Sequence, residues 1–240
     1  MATDNAVKYY AVVPAAGVGR RMGASASLPK QYLSLFDKTV MEHTLEKLLG
    51  EQRLERIVVV VGQDDNHWQT LPILQHPRIT ITTGGDERCH SVVNGLEKLS
   101  SLCATNDWIL VHDVVRPCVS AMDIATLINE VADDVVGGIL AIPVSDTIKQ
   151  VSGGHSVATI DRQLLWRAQT PQMFRYDKLH AALIDGLEKQ CQLTDEASAI
   201  ELAGYRPKIV EGTASNLKIT RADDLPLAEY YLQREQQECE

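Results

Sequence analysis

The sequence predicts an α/β protein built on a single doubly wound, mostly parallel sheet. Strand candidates alternate with helical stretches along all 240 residues, the signature of that class. Several of the strands, Ile57 to Val61 above all, are near-continuous apolar runs, as expected of strands buried on both faces. A loop of small residues follows the first strand, at the carboxyl edge where open α/β sheets bind ligands.

The first strand candidate, 8–14, runs into Ala15-Ala16-Gly17-Val18-Gly19-Arg20-Arg21-Met22. Small residues let backbone N–H groups approach an anion closely. Two arginines follow, and Lys30 lies beyond in Leu28-Pro29-Lys30-Gln31-Tyr32. Such cations neutralise a polyphosphate. Gly17-Val18-Gly19 with Met22 only half-matches the dinucleotide fingerprint, and no acidic residue ends a strand about 20 residues on. The next strand, 56–61, ends instead in Gly62-Gln63. Phosphate chemistry is therefore the stronger expectation.

Thr39 with Glu42 fits a capping box that opens a helix. Strand 78–82 leads into Thr83-Gly84-Gly85-Asp86-Glu87-Arg88, and then a helix over 87–99 gathers Val92, Val93, Leu96 and Leu99 on one face and carries Ser91. Strand 107–112 ends in His112-Asp113-Val114-Val115-Arg116-Pro117. A lone Asp in a loop is usually a cap, but at a strand end beside Arg116 it is also a good Mg²⁺ ligand. His112 reads as a structural neighbour and not as a base. Ser120 with Asp123 opens the next helix, and strand 135–143 follows.

Two β-prone runs then flank Ser152-Gly153-Gly154-His155, which makes a hairpin. An isolated hairpin is marginal in water. The stretch of about 144–163 is therefore expected to be a protruding arm that a second copy covers, giving a homodimer. Thr194 before Asp195-Glu196 fits an N-cap, with Gly204 closing that helix. Thr220 with Asp223 fits the start of a last helix, about 221–238. One domain spans 1–240, and no second catalytic domain is expected.

Composition narrows the function. A net charge of −9 argues against nucleic acid, which needs a basic surface. Five cysteines without C-x-x-C spacing point to reduced thiols in the cytoplasm and not to a zinc site. No apolar run approaches a membrane span, and residues 1–5 lack a signal core.

Taken in order, five blocks resemble the 2-C-methyl-D-erythritol 4-phosphate cytidylyltransferase family over essentially the whole chain. They are Pro14-Ala15-Ala16-Gly17-x-Gly19-Arg20-Arg21-Met22; Pro29-Lys30-Gln31-Tyr32; Gly84-Gly85-Asp86-Glu87-Arg88; Val111-His112-Asp113 to Arg116-Pro117; and Thr194-Asp195-Glu196-Ala197-Ser198 with Asn216-Leu217-Lys218-Ile219-Thr220. Val114-Val115 stand where the family often has Ala-Ala.

The resemblance implies a Rossmann-like nucleotidyltransferase that joins CTP to methylerythritol phosphate and releases pyrophosphate. It implies Arg21, Lys30 and Lys218 as the catalytic cations. Ala15, Ala16, Gly17, Gly19, Gly84, Gly85, Asp86 and Ser91 would bind CTP, and Asp113 would hold Mg²⁺. Arg116, Thr147, Arg162, Thr170 and Thr194 would bind the sugar phosphate, with Arg162 reaching from the arm into the other subunit's site. A ribitol 5-phosphate cytidylyltransferase of the same fold is the nearer alternative, and a non-catalytic nucleotide-binding regulator the more distant one.

Overall fold

Alternation along the central strands sets the layers. In β1 (Tyr9–Pro14), Ala11 and Val13 face one core while Tyr10 and Val12 face the other. Further along, after the two-residue strands β2 (Ser34–Leu35) and β3 (Lys38–Thr39) and the helix α1 (Val40–Gly50), β4 (Leu54–Val61) repeats the pattern. Its Ile57, Val59 and Val61 join the first core, and Val58 and Val60 the second. Strands apolar on both faces need helices on both, which is the doubly wound arrangement. The computed structural model describes residues 6–17 and 28–238.

The chain continues through β5 (Ile79–Thr83), α2 (Arg88–Leu99), β6 (Trp108–Val111), α3 (Ala121–Val131) and β7 (Gly137–Pro143). It then runs through β8 (Ile148–Ser152), β9 (His155–Ile160), β10 (Trp166–Arg175), α4 (Tyr176–Glu188), α5 (Glu196–Leu202), β11 (Lys208–Glu211) and α6 (Leu225–Glu238). The main sheet has seven strands in the order β11-β7-β10-β6-β1-β4-β5. All neighbours are parallel except β10, which is antiparallel to both β6 and β7.

Helices α1 and α3 cover one face, and α2, α4 and α5 the other. A third cluster seats Ala228 and Leu232 of α6 on Leu35, Val40, Cys118 and Ile219. In α2, Gly95 is pressed against the sheet, where a Cβ would lie 2.5 Å from Val12.

The five expected strands are β1, β4, β5, β6 and β7. Two more complete the sheet. Strand β10 contains Pro171, which cannot donate to a ladder and argues against a central strand. The structure accommodates it at a break in the β7 register between Ala168 and Gln172, at the cis Thr170–Pro171 bond. Strand β11 is short, largely exposed and at the sheet edge.

Both reciprocal caps at Thr39/Glu42 and Ser120/Asp123 are present. The other two expected caps are displaced by one residue. Asp224, and not Asp223, accepts from the N–H groups of Thr220 and Arg221. Asp195, and not Thr194, caps α5 by accepting from Ser198 N–H at 2.9 Å. Gly204 closes that helix at φ +86°, in the left-handed region that glycine adopts at no steric cost.

Among the described residues, strands β8 and β9 pair only with each other, around Gly153 and Gly154 at φ +56° and +80°. Every residue of β9 is exposed.

Candidate active site

The carboxyl ends of β1, β5 and β6 open into one cleft of about 440 Å³. Its nucleotide-sized floor comes from backbone fixed on all sides. Ala15 donates its N–H to Val60 at 2.7 Å, and the Gln31 amide donates to Ala15 O at 2.8 Å. Both polar groups of Ala15 are thus committed, and Ala16 and Gly17 line the cleft. Gly84 donates its N–H to Val61 at 2.8 Å and lies so close to Ala16 and Ser91 that a Cβ would meet each at 2.6 Å. Only glycine permits that approach. The Ser91 hydroxyl accepts from Gly85 N–H at 3.3 Å and donates to Glu87 O at 3.2 Å, tying the loop to α2. Gly85, Asp86 and Ser91 line the cleft.

Lys30 enters from the opposite wall, where its Nζ donates to Thr220 O at 2.5 Å. Val114 and Val115 shape the base of the cleft. Their carbonyls accept from Thr44 Oγ1 at 2.7 Å and from Ile219 N–H at 2.9 Å, so the bulkier pair is seated by the core and the Lys218 loop.

Asp113 is the charge node. One carboxylate oxygen accepts from Arg88 Nε at 2.9 Å, and the other faces Lys218 Nζ at 2.7 Å. Arg116 Nε stands 3.8 Å from it, buried and without a hydrogen-bond partner. Burial by itself would raise the Asp113 pKa, but Arg88, Lys218 and Arg116 outweigh it and hold the carboxyl well below the usual carboxylate range.

A second pocket of about 180 Å³ opens on the other side of the same node. It shares Arg88, Asp113 and Lys218 with the cleft and adds Arg116, Thr170 and Thr194. The structure therefore brings together Lys30, Lys218, Asp113, Ala16, Gly17, Gly85, Asp86, Ser91, Arg116, Thr170 and Thr194, with Ala15 and Gly84 just behind. Thr147 and Arg162 line neither pocket. Both are exposed near the base of the arm, and Arg162 donates to Ser145 O. Gly19 and Arg21 lie outside the described residues.

Arg88 and Glu196 stand in the sequence blocks with no role that the sequence itself points to. Arg88 is the first residue of α2, where the positive helix end disfavours a cation. That misplaced charge was the available signal that acids must face it. They are Asp113 and Glu196, the latter 1% exposed. At the same helix start, Glu87, Cys89 and His90 bring ligand atoms within 4.8 Å of one another, but the helix end opposes a cation there.

The chemistry available is the handling of a polyanion. Small-residue backbone lies on one side, cations on the other, and a carboxylate suited to a hard metal stands between two adjoining pockets. Comparison with known proteins points the same way. A family model described as 2-C-methyl-D-erythritol 4-phosphate cytidylyltransferase matches residues 9–234. A protein of that name from Aliivibrio fischeri (strain MJ11) is 47% identical over 239 residues, 99% of each chain. One from Vibrio cholerae serotype O1 is 49% identical, covering 93% of this chain and 96% of its own. The crystal structure of the Francisella tularensis protein of that name superimposes with a TM-score of 0.81 at 34% identity, over 93% of this chain and 99% of that one.

Beneath Asp113, His112 is fully buried. Its Nε2 faces Arg116 O at 3.2 Å, which can only accept, so that nitrogen carries the proton. Nδ1 then accepts from the Thr170 hydroxyl at 3.1 Å, while the same hydroxyl accepts from Asp113 N–H at 3.0 Å. Burial pushes the His112 pKa down to about 4. The folded state thus binds this proton later than the unfolded chain as pH falls. Its contribution is whole above the ordinary value of 6.5 and is lost toward pH 4. Urea unfolding across this window is predicted to show a loss of up to about 3 kcal/mol from this group. The His112→Gln protein, less stable at pH 7, should show a correspondingly shallower decline, and an equal slope in both proteins would refute the assignment.

Proposed function

The chain belongs to the 2-C-methyl-D-erythritol 4-phosphate cytidylyltransferase family and is a nucleotidyltransferase, and we propose that it transfers CMP from CTP to the phosphate of 2-C-methyl-D-erythritol 4-phosphate. The observation that carries this reading is the pair of adjoining pockets meeting at Asp113, Arg88 and Lys218, one sized for a nucleotide and one for a small phosphorylated polyol.

In this reading cytosine lies against Ala16, Gly17, Gly85 and Asp86, with Ser91 holding the loop. An oxygen of the sugar phosphate, held by Arg116 and Thr194 in the pocket that Thr170 also lines, attacks the α-phosphorus of CTP in line. The new O–P bond forms as the bond to the bridging oxygen of the β-phosphate breaks, and pyrophosphate leaves. The attacking oxygen is already anionic, so no general base is required. The cost lies in bringing two polyanions together and in charge growing on the phosphoryl oxygens, which positioned cations offset.

Lys30 supports the α-phosphate, Lys218 the oxygens of the transition state, and Arg21 the leaving pyrophosphate. Asp113 is a hard oxygen donor lining both pockets, and its Lys218 partner is 42% exposed and can swing aside, which fits Mg²⁺ completed by phosphate oxygens and water. A bound Mg²⁺ would neutralise phosphate charge.

The same reading makes the β8–β9 arm the seat of a homodimer. It carries Val151 and Val157 at 60% and 57% exposure, apolar surface that a second copy would bury. Arg162 and Thr147 would then serve the partner's second pocket. A cytoplasmic location accords with the free thiols of Cys89, Cys103, Cys118 and Cys191. No helix among the described residues is long and apolar enough to cross a membrane.

Pyrophosphate release from CTP and Mg²⁺ should be fast with methylerythritol 4-phosphate and slow with ribitol 5-phosphate; the reverse preference would reassign the substrate. Lys30→Ala is expected to lower kcat by about 10²–10³ while CTP binding, read by calorimetry, persists. Replacing Val151 and Val157 together by Asp is expected to give a monomer in sedimentation that has lost turnover. A dimer of unchanged mass would rule out the arm.

A further inference from the structure

Arg88 is shared between two buried carboxylates on opposite sides of the site. Its Nη1 and Nη2 donate to Glu196 at 2.6 and 3.0 Å, a two-pronged grip, while Nε donates to Asp113 at 2.9 Å. The planar guanidinium cannot turn without breaking one set. Glu196 is buried, and among the described residues Arg88 is its ion-pair partner. The cost of such burial makes the pair a poor device for stability alone.

Its placement indicates another purpose. Arg88 opens α2, whose first turns carry Ser91 and follow Glu87 and Asp86 of the nucleotide cleft. Glu196 opens α5, directly after Thr194 and Asp195 of the second pocket. The pair therefore joins the two helix starts that form facing walls of the two pockets. A second tie runs in parallel: the Gln172 amide donates to Asp195 at 2.8 Å and its oxygen accepts from Ala197 N–H at 2.8 Å, which fixes the start of α5 on β10. Glu196 thus stands on an anchored base and presents a fixed fork to Arg88.

Charge gives the arrangement its sense. Arg88, Arg116 and Lys218 face Asp113 and Glu196, three cations against two carboxylates. Were Asp113 to hold a metal and its other cations to pair with phosphate, Arg88 would keep an anionic partner in Glu196.

We propose that Glu196 is a positioning residue for group transfer: it orients Arg88, and through Arg88 the Asp113 carboxylate, so that both pockets are set for the same reaction. The inference rests on the reading of the site as a cytidylyltransferase.

The test compares wild type, Glu196→Gln, Arg88→Lys and the double variant in pyrophosphate release with CTP, methylerythritol 4-phosphate and Mg²⁺. Fast release by the wild type secures the underlying reading, and its absence would overturn that reading and not this assignment. Each single variant is expected to lose about 10–100-fold in kcat with the CTP KM within about twofold of wild type. The double variant should be no slower than the worse single, because both changes remove one geometric constraint. A Glu196→Gln protein with wild-type kcat would overturn the proposal, as would losses that multiply in the double variant. If Glu196→Gln fails to fold, Arg88→Lys keeps the charge but not the fork and decides alone, since wild-type kcat in that variant would contradict the assignment.

Discussion

A carboxylate taken out of water among three cations is the constraint around which this molecule is arranged. Asp113 stands at the end of β6, nearly buried, facing Arg88, Lys218 and Arg116. Each cation comes from a different part of the chain: the start of α2, the loop before α6, and the turn after β6. Burying one charge is costly unless it is paired, and here the pairing also draws those segments to one point. The two pockets are the spaces left on either side of that point.

The scaffold below explains why the point is well defined. The Thr170 hydroxyl links Asp113 N–H to His112, and the Asn216 side-chain amide donates to Thr170 O at 2.8 Å. Arg116 in turn donates to Asn216 O at 2.7 Å. This closed set of buried hydrogen bonds joins β6, β10 and the Lys218 loop, which are distant in sequence. Among the described residues Arg116 Nε and Asn216 Oδ1 are left without hydrogen-bond partners, but the bonds that are made tie these three segments to one point. The two-layered apolar core positions the strands, and the polar network then sets the side chains to the finer tolerance that phosphoryl transfer requires.

Much of this is legible in the residues because physical patterns announce it. Runs such as Ile57 to Val61 have no plausible place but a sheet buried on both faces, and small residues or an Asp at strand ends are where such sheets bind ligands. Strand β10 was hidden because Gln169, Thr170, Pro171 and Gln172 interrupt its apolar pattern, and they do so where the strand leaves its ladder to build the site. The capping residues at 195 and 224 were missed by one position because neighbouring Thr and Asp side chains offer equivalent acceptors. The Arg88–Glu196 pair was hidden for another reason. Its partners lie 108 residues apart, and each sits in a charged run that reads as ordinary surface until the fold brings the helix starts together.

Asp113 is a counter-charge that restrains three cations, Arg88, Lys218 and Arg116, each able to pair with phosphate. Calorimetry of CTP binding to wild type and Asp113→Asn, first without metal and then with Mg²⁺ alongside a turnover assay, tests this directly. The variant is expected to bind metal-free CTP more tightly, because a repelling charge is gone and its cations are released, while turnover with Mg²⁺ falls by about 100-fold. Weaker metal-free binding together with unimpaired turnover would contradict it.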